Sequence, residues 1–80
     1  MFQLSVYARE ILAAAAKNAW TPEVAVNKFV VNLNTMREFS DFGGTINFHE
    51  VGRDWVKLKS DERLAQRDAL VKQLQKSARS

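Results

Sequence analysis

Residues 43–59, GGTINFHEVGRDWVKLK, decide which fold this 80-residue chain adopts. Apolar and polar residues alternate on both sides of Gly52, which is the pattern of two short strands joined by a turn. We therefore predict an antiparallel β-hairpin over residues 45–59, with its tip at residues 50–54. The predicted register pairs Ile46 with Leu58 and Phe48 with Val56 on the face that packs against the core.

In this register Trp55 lies opposite His49 on the polar face of the hairpin, away from the core. A slip of one residue would turn Trp55 to the core and expose Val56, so the exposure of Trp55 depends on the register. An exposed tryptophan next to Arg53 and His49 is typical of a protein-binding surface, because Trp and Arg are enriched at interface hot spots.

The start of the second helix has the clearest local signal in the chain. Thr21 is a natural N-cap, Pro22 suits the first helical position, and Glu23 suits the positive end of the helix dipole. The helix that follows is apolar almost all round, which predicts either a central helix or a dimer contact. These apolar residues are Val24, Ala25, Val26, Phe29, Val30, Val31 and Leu33.

The prediction also includes the first and last helices and a possible interruption of the helical segment near residue 34. Ser5 is expected to cap the first helix. Thr35 and Glu38 have the spacing of a capping box that would open a short third helix, although one helix through residues 22–42 fits nearly as well. The predicted layout is one domain, residues 1–80, with helices at 5–18, 22–33, 35–42 and 61–77 and the hairpin at 45–59. The predicted fold class is therefore α+β, mostly helical with three or four helices and one hairpin.

Composition bounds the environment of the protein. Hydrophobic residues make up 46% and charged residues 26% of the chain, which is typical of a globular domain. The chain has no cysteine, which excludes disulfides and cysteine metal sites. Its apolar stretches are shorter than the roughly 20 residues of a membrane span, and Lys17 interrupts the N-terminal one, unlike the core of a signal peptide. We expect a cytoplasmic protein without a membrane partner.

The sequence offers little for catalysis. His49 is the sole histidine, and a zinc site needs three or four ligands. No serine is placed beside it in a recognisable nucleophile motif. The double glycine at residues 43–44 is not followed by the consecutive lysine and serine or threonine of a phosphate-binding loop. We predict no catalytic residue, no metal and no cofactor, and hence not an enzyme.

The excess positive charge lies in the second half of the chain, which suggests an anionic partner, although a net charge of +3 more often serves only the solubility of a small domain. Residues 1–44 carry four basic and four acidic side chains, whereas residues 45–80 carry eight basic and five acidic ones. The predicted order of elements is helix, helix, short helix, hairpin, helix. This order and the uneven charge together predict a small DNA-binding regulator of winged-helix type. A homodimer is a further possibility. The residues that we predict to contact duplex DNA are Asn34, Arg37, Arg53, Lys57 and Lys59.

The alternative is a protein-binding inhibitor or adaptor, of the phage or plasmid type, that caps a larger host machine. It would use the hairpin face, through His49, Arg53 and Trp55. Lys57→Ala would weaken DNA binding and flatten its salt dependence, whereas Trp55→Ala would weaken protein binding with little effect of salt.

Overall fold

The computed structural model describes residues 2–37, 41–44 and 46–79, with side chains described up to residue 77. Within these residues every regular element is a helix. A 3-10 turn at Leu4–Tyr7 leads into α1, Ala8–Asn18, which is followed by α2, Pro22–Thr35, α3, Phe48–Val56, and α4, Ser60–Arg79. The α+β prediction is therefore wrong, because the described part of the chain contains no strand.

The predicted hairpin over residues 45–59 is replaced by α3. Asn47 caps this helix, since its Oδ1 accepts a hydrogen bond of 3.2 Å from the Glu50 amide. Phe48, Val51 and Trp55 then fall on one face of the helix and pack against the core. Trp55 is only 2% exposed, so the predicted placement on a polar face is also wrong.

α2 is the central helix, and it packs against α1, α3 and α4. Thr21 caps it as predicted, with its hydroxyl accepting a hydrogen bond of 3.2 Å from the Val24 amide, and Pro22 occupies the first helical position. Phe29 of α2 meets Phe42 and Phe48 edge to face, with ring centroids 5.1 and 5.0 Å away. This aromatic cluster is the middle of the core.

The end of α2 excludes a single helix through residues 22–42. The helix ends at Thr35, because Met36 adopts a left-handed conformation with φ 56°. The Thr35 hydroxyl donates back to the Val31 carbonyl at 2.9 Å rather than capping a new helix. Residues 41–44 form a turn, and residues 38–40 of the predicted short helix at 35–42 lie outside the described residues.

Gly52 is buried where α3 crosses α2. A Cβ atom at this position would collide with the Leu33 carbonyl oxygen and lie 2.9 Å from Met36 Cγ. The glycine therefore permits a close approach of the two helices, and does not form the turn that the sequence predicts.

α4 fastens the N-terminal segment to the rest of the protein through Gln66. Its Oε1 accepts a hydrogen bond of 2.9 Å from the Leu4 amide, and its Nε2 donates one of 3.1 Å to the Phe2 carbonyl. Arg67, one residue later, donates from Nε to Asn27 Oδ1 at 2.9 Å and so ties α4 to α2. α4 itself spans the whole of the predicted range 61–77.

Candidate functional site

Of the two residues predicted to read DNA bases, Asn34 and Arg37, the first has its side chain bonded within the fold. Asn34 is near the end of α2, and its Oδ1 accepts a hydrogen bond of 2.8 Å from Nε1 of the buried Trp55. Arg37 is exposed beyond the left-handed Met36, and its amide donates to the Asn32 carbonyl at 3.2 Å. Asn34 and Arg37 are both exposed, but the Asn34 side-chain oxygen is already engaged with Trp55.

The predicted phosphate contacts lie on α3 and in the turn after it. Arg53, Lys57 and Lys59 are all exposed. Arg53 and Lys57 line a shallow depression together with Glu50 and Asp54, and Lys57 Nζ lies 4.0 Å from Asp54 Oδ1. Two basic and two acidic groups share this surface, so their charges cancel there.

The predicted protein-binding set of His49, Arg53 and Trp55 is also divided. His49 and Arg53 are exposed on successive turns of α3, whereas Trp55 packs inward with its ring edge against Phe2, 5.6 Å between centroids. A tryptophan that is buried in the core is not available as an interface anchor. The set therefore forms no continuous surface.

The surface that the structure offers instead is a groove along α2, which we call the α2 groove. It has a volume of about 630 Å³ and is lined by Val24, Asn27, Lys28, Val31, Asn32 and Asp41. Val24 is 40% and Val31 52% exposed, and they lie seven residues apart on the same face of the helix. The groove therefore presents two solvent-exposed valines to a ligand or partner.

Asn32 forms part of this groove although its residue is only 2% exposed. Its Nδ2 has no hydrogen-bond partner among the residues that the structure describes. A buried donor without a partner costs about 1–3 kcal/mol. Asn27, in contrast, has a partner, because its side-chain oxygen Oδ1 accepts a hydrogen bond from Arg67. Asn32 is thus an uncompensated donor at the groove.

The two charged residues of the groove have opposite signs. Lys28 Nζ lies 5.1 Å from the centroid of the Trp20 ring, a cation–π arrangement. Asp41 belongs to the turn after α2 and is half-buried. Because one cation and one anion line the groove, it does not favour a strongly charged ligand.

Sequence reasoning missed this groove because it assigned the valines of α2 to the core or to a dimer contact. The available signal was the excess of apolar positions on α2. One face of a surface helix needs three to four apolar residues in two turns, and residues 24–33 contain seven. The surplus indicated a second apolar face, but not the buried amide beside it.

The part of the chain that the structure describes offers neither a metal-binding cluster nor a membrane-spanning helix. Within residues 2–37, 41–44 and 46–79, no three His, Cys, Asp or Glu side chains are grouped so that they could hold a metal ion. Among the same residues, each helix is too short or too polar to cross a membrane.

Comparisons of the chain with protein-family models, with curated proteins and with solved structures gave no match.

Proposed function

We propose that this chain is a small, non-enzymatic protein-binding module that docks a partner protein in the α2 groove. The observation that carries the proposal is the pair of exposed valines, Val24 and Val31, on a concave face of the central helix. Burying the exposed part of each side chain contributes roughly 1 kcal/mol. An inhibitor or adaptor role, a cytoplasmic location and a homodimer stay predictions.

The position of the groove supports the proposal. α2 is held on its other sides by α1, α3 and α4, so the groove face is presented by a rigid support. Preorganised surfaces lose less conformational entropy on binding than flexible ones do. The wall of the groove that Val24 and Val31 form is thus suited to binding without rearrangement.

The proposal is tested by placing a photoreactive benzoylphenylalanine at position 31, and separately at position 6, in cells that express the protein. Val6 is the matched control, since it is 70% exposed and is not part of the groove. We expect a discrete crosslinked partner from position 31 and none from position 6. Equal crosslinking at the two positions, or none at position 31, would contradict the proposal.

Duplex DNA is the second candidate partner. It is favoured by the exposed Arg53, Lys57 and Lys59, which follow one another closely and belong to the half of the chain that carries the excess positive charge. DNA binding of this kind would not use a winged-helix hairpin, because residues 48–56 form a helix. The acidic groups beside Arg53 and Lys57 weigh against it.

Fluorescence anisotropy with a random-sequence duplex, at 50 mM and then 200 mM salt, tests this second candidate. DNA binding predicts an affinity that falls steeply with salt, and a salt slope that is smaller by about one in Lys57→Ala. Val31→Asp would be the matched control and should leave DNA binding nearly unchanged. Absence of binding at 50 mM salt would exclude this candidate.

A further inference from the structure

We infer that the last two turns of α4 contact the phosphate backbone of duplex DNA through Lys72 and Lys76. Such a contact rests on duplex-DNA binding, the second candidate function above, and places it on α4 rather than on α3. It is independent of the α2 groove. Two features of the molecule carry it, the separation of charge along the chain and the exposure of the two lysines at a projecting helix end.

The excess positive charge of the chain lies entirely in its last part. Residues 1–68 carry nine basic and nine acidic side chains, whereas residues 69–80 carry three basic ones and no acidic one. An anionic partner is therefore attracted to the end of α4 more than to the rest of the molecule. The helix dipole does not account for this pattern, because its effect fades within the last turn and Lys72 lies two turns before Arg79.

Lys72 and Lys76 are exposed, and neither forms an ion pair within the part of the chain that the structure describes. The acidic residue that precedes them most closely on α4 is Asp68, four residues before Lys72. Its Oδ1 already accepts a hydrogen bond from Arg67 Nη1. Because neither lysine has to leave a carboxylate, both ammonium groups are free to donate charge-assisted hydrogen bonds to phosphate oxygens.

The end of α4 projects beyond the core. Leu74 is 1% exposed and is the last buried side chain of α4 among the described residues, whereas Gln75, Lys76 and Ser77 are exposed. The helix continues to Arg79, so about 7 Å of it extends past Leu74. The major groove of B-DNA is wide enough to admit an α-helix. A projecting helix end with basic side chains therefore fits a duplex without rearrangement of the core.

The surroundings of the two lysines favour duplex DNA over other polyanions. Single-stranded nucleic acids are bound by stacking on aromatic rings, and every described aromatic side chain is buried or half-buried. The major groove of duplex RNA is too narrow for side chains to read. A membrane-surface helix inserts apolar side chains, but those of this part of α4 are buried in the core, namely Leu70, Val71 and Leu74.

The test is fluorescence anisotropy of the full chain with a fluorescein-labelled duplex of random sequence, at 50 mM and then 200 mM salt. One double variant combines Lys72→Gln with Lys76→Gln. The matched control combines Arg53→Gln with Lys57→Gln, which removes the same charge from α3 and its C-terminal cap. We expect the α4 variant to bind at least about tenfold more weakly at 50 mM salt, with a salt slope smaller by about two, and the control to stay within about threefold of wild type.

A charge-preserving variant separates phosphate binding from a structural role. Lys72→Arg with Lys76→Arg keeps both charges and should bind the duplex within about twofold of wild type. Because both positions are exposed, the α4 variants should also keep the circular dichroism signal at 222 nm and the urea midpoint of wild type. Loss of DNA binding that occurs only together with loss of helical signal would overturn the inference, because the lysines would then serve the fold.

Failure of the α4 contact and failure of DNA binding give different results. If the α3 control loses binding while the α4 glutamine variant keeps it, or if both lose it equally, then duplex DNA is a partner and the assignment to α4 is wrong. If wild type does not bind the duplex at 50 mM salt, both are wrong. Tighter binding to phosphatidylglycerol vesicles than to the duplex, weakened by the same α4 substitutions, would identify a membrane surface as the partner and would also overturn the inference.

Discussion

Gly52 shows how a single missing side chain sets the position of two helices. It lies in the middle of α3, where a glycine normally costs about 1 kcal/mol relative to alanine. Here the absence of Cβ allows α3 to approach the Leu33 carbonyl and the Met36 side chain. The contact, and not the backbone preference, explains why glycine suits this position.

Gly52→Ala is expected to destabilise the protein by about 2–3 kcal/mol, although alanine is the better helix former. Urea unfolding followed by circular dichroism at 222 nm would measure the change. His49→Ala, at an exposed position of the same helix, is the control and should stay within about 0.5 kcal/mol. A stabilised Gly52→Ala variant would show that α2 and α3 are not in close contact.

Trp55 is a second residue whose role follows from its surroundings. Its ring is buried against Phe2, and its Nε1 donates to Asn34. We expect Trp55→Ala to lower the free energy of unfolding by about 3–5 kcal/mol, because it leaves a large cavity. Near-ultraviolet circular dichroism and urea unfolding measure this loss. A variant that keeps its stability and loses only partner binding would contradict this structural role.

At the scale of the element, the starts of the helices differ in whether a side chain caps them. Thr21 caps α2 with its hydroxyl. Ser5, which the sequence also suggests as a cap, is exposed inside the 3-10 turn, and the structure has no side-chain cap at either Gln3 or Tyr7. The same residue chemistry thus stabilises one helix start and not the other.

Thr21→Ala is expected to cost about 1 kcal/mol of stability, because the Val24 amide loses its acceptor. Ser5→Ala is the paired substitution and should change the urea midpoint by less than the error of the fit. Equal effects of the two substitutions would show that the Thr21 cap does not stabilise α2.

The helical segments were predictable where local chemistry was unambiguous, as at Thr21 and Pro22. The structure of segment 45–59 was not predictable in this way, because a short apolar segment fits both the two-residue repeat of a strand and the 3.6-residue repeat of a helix. Ile46, Phe48, Val56 and Leu58 match a strand pair, whereas Phe48, Val51, Gly52 and Trp55 match a helix face. Asn47 with Glu50 three residues later was the cap signal that favoured the helix. The buried amide of Asn32 depends on tertiary packing, which local patterns do not contain.

At the scale of the whole molecule, Tyr7 connects several elements. Its ring lies 5.4 Å from that of Phe29 in α2 and 6.3 Å from that of Phe2. Burial raises the pKa of the Tyr7 phenol above its ordinary value of 10.0, and the negative charges of Glu10 and Asp54 raise it further. The folded protein therefore holds this proton more tightly than the unfolded chain does.

A raised folded-state pKa means that the contribution of Tyr7 to stability is complete below the unfolded value near 10, and is lost as pH rises through the folded value. We expect the urea midpoint of the wild type, relative to Tyr7→Phe, to be constant from pH 8 to 9 and to fall above about pH 10. The comparison with Tyr7→Phe cancels the effect of lysine titration, because both proteins carry the same lysines. A relative midpoint that rises with pH would have the wrong sign.

The hydrogen bonds between the Gln66 side chain and the main chain of Phe2 and Leu4 also have a consequence during synthesis of the chain on the ribosome. The Leu4 amide and its acceptor are 62 residues apart, and ribosomes add about 5–20 residues per second, so the acceptor is made about 3–12 s after the donor. During that interval α4 is not available to cover Leu4. A nascent chain therefore exposes to chaperones the Leu4 side chain, which the folded protein covers completely.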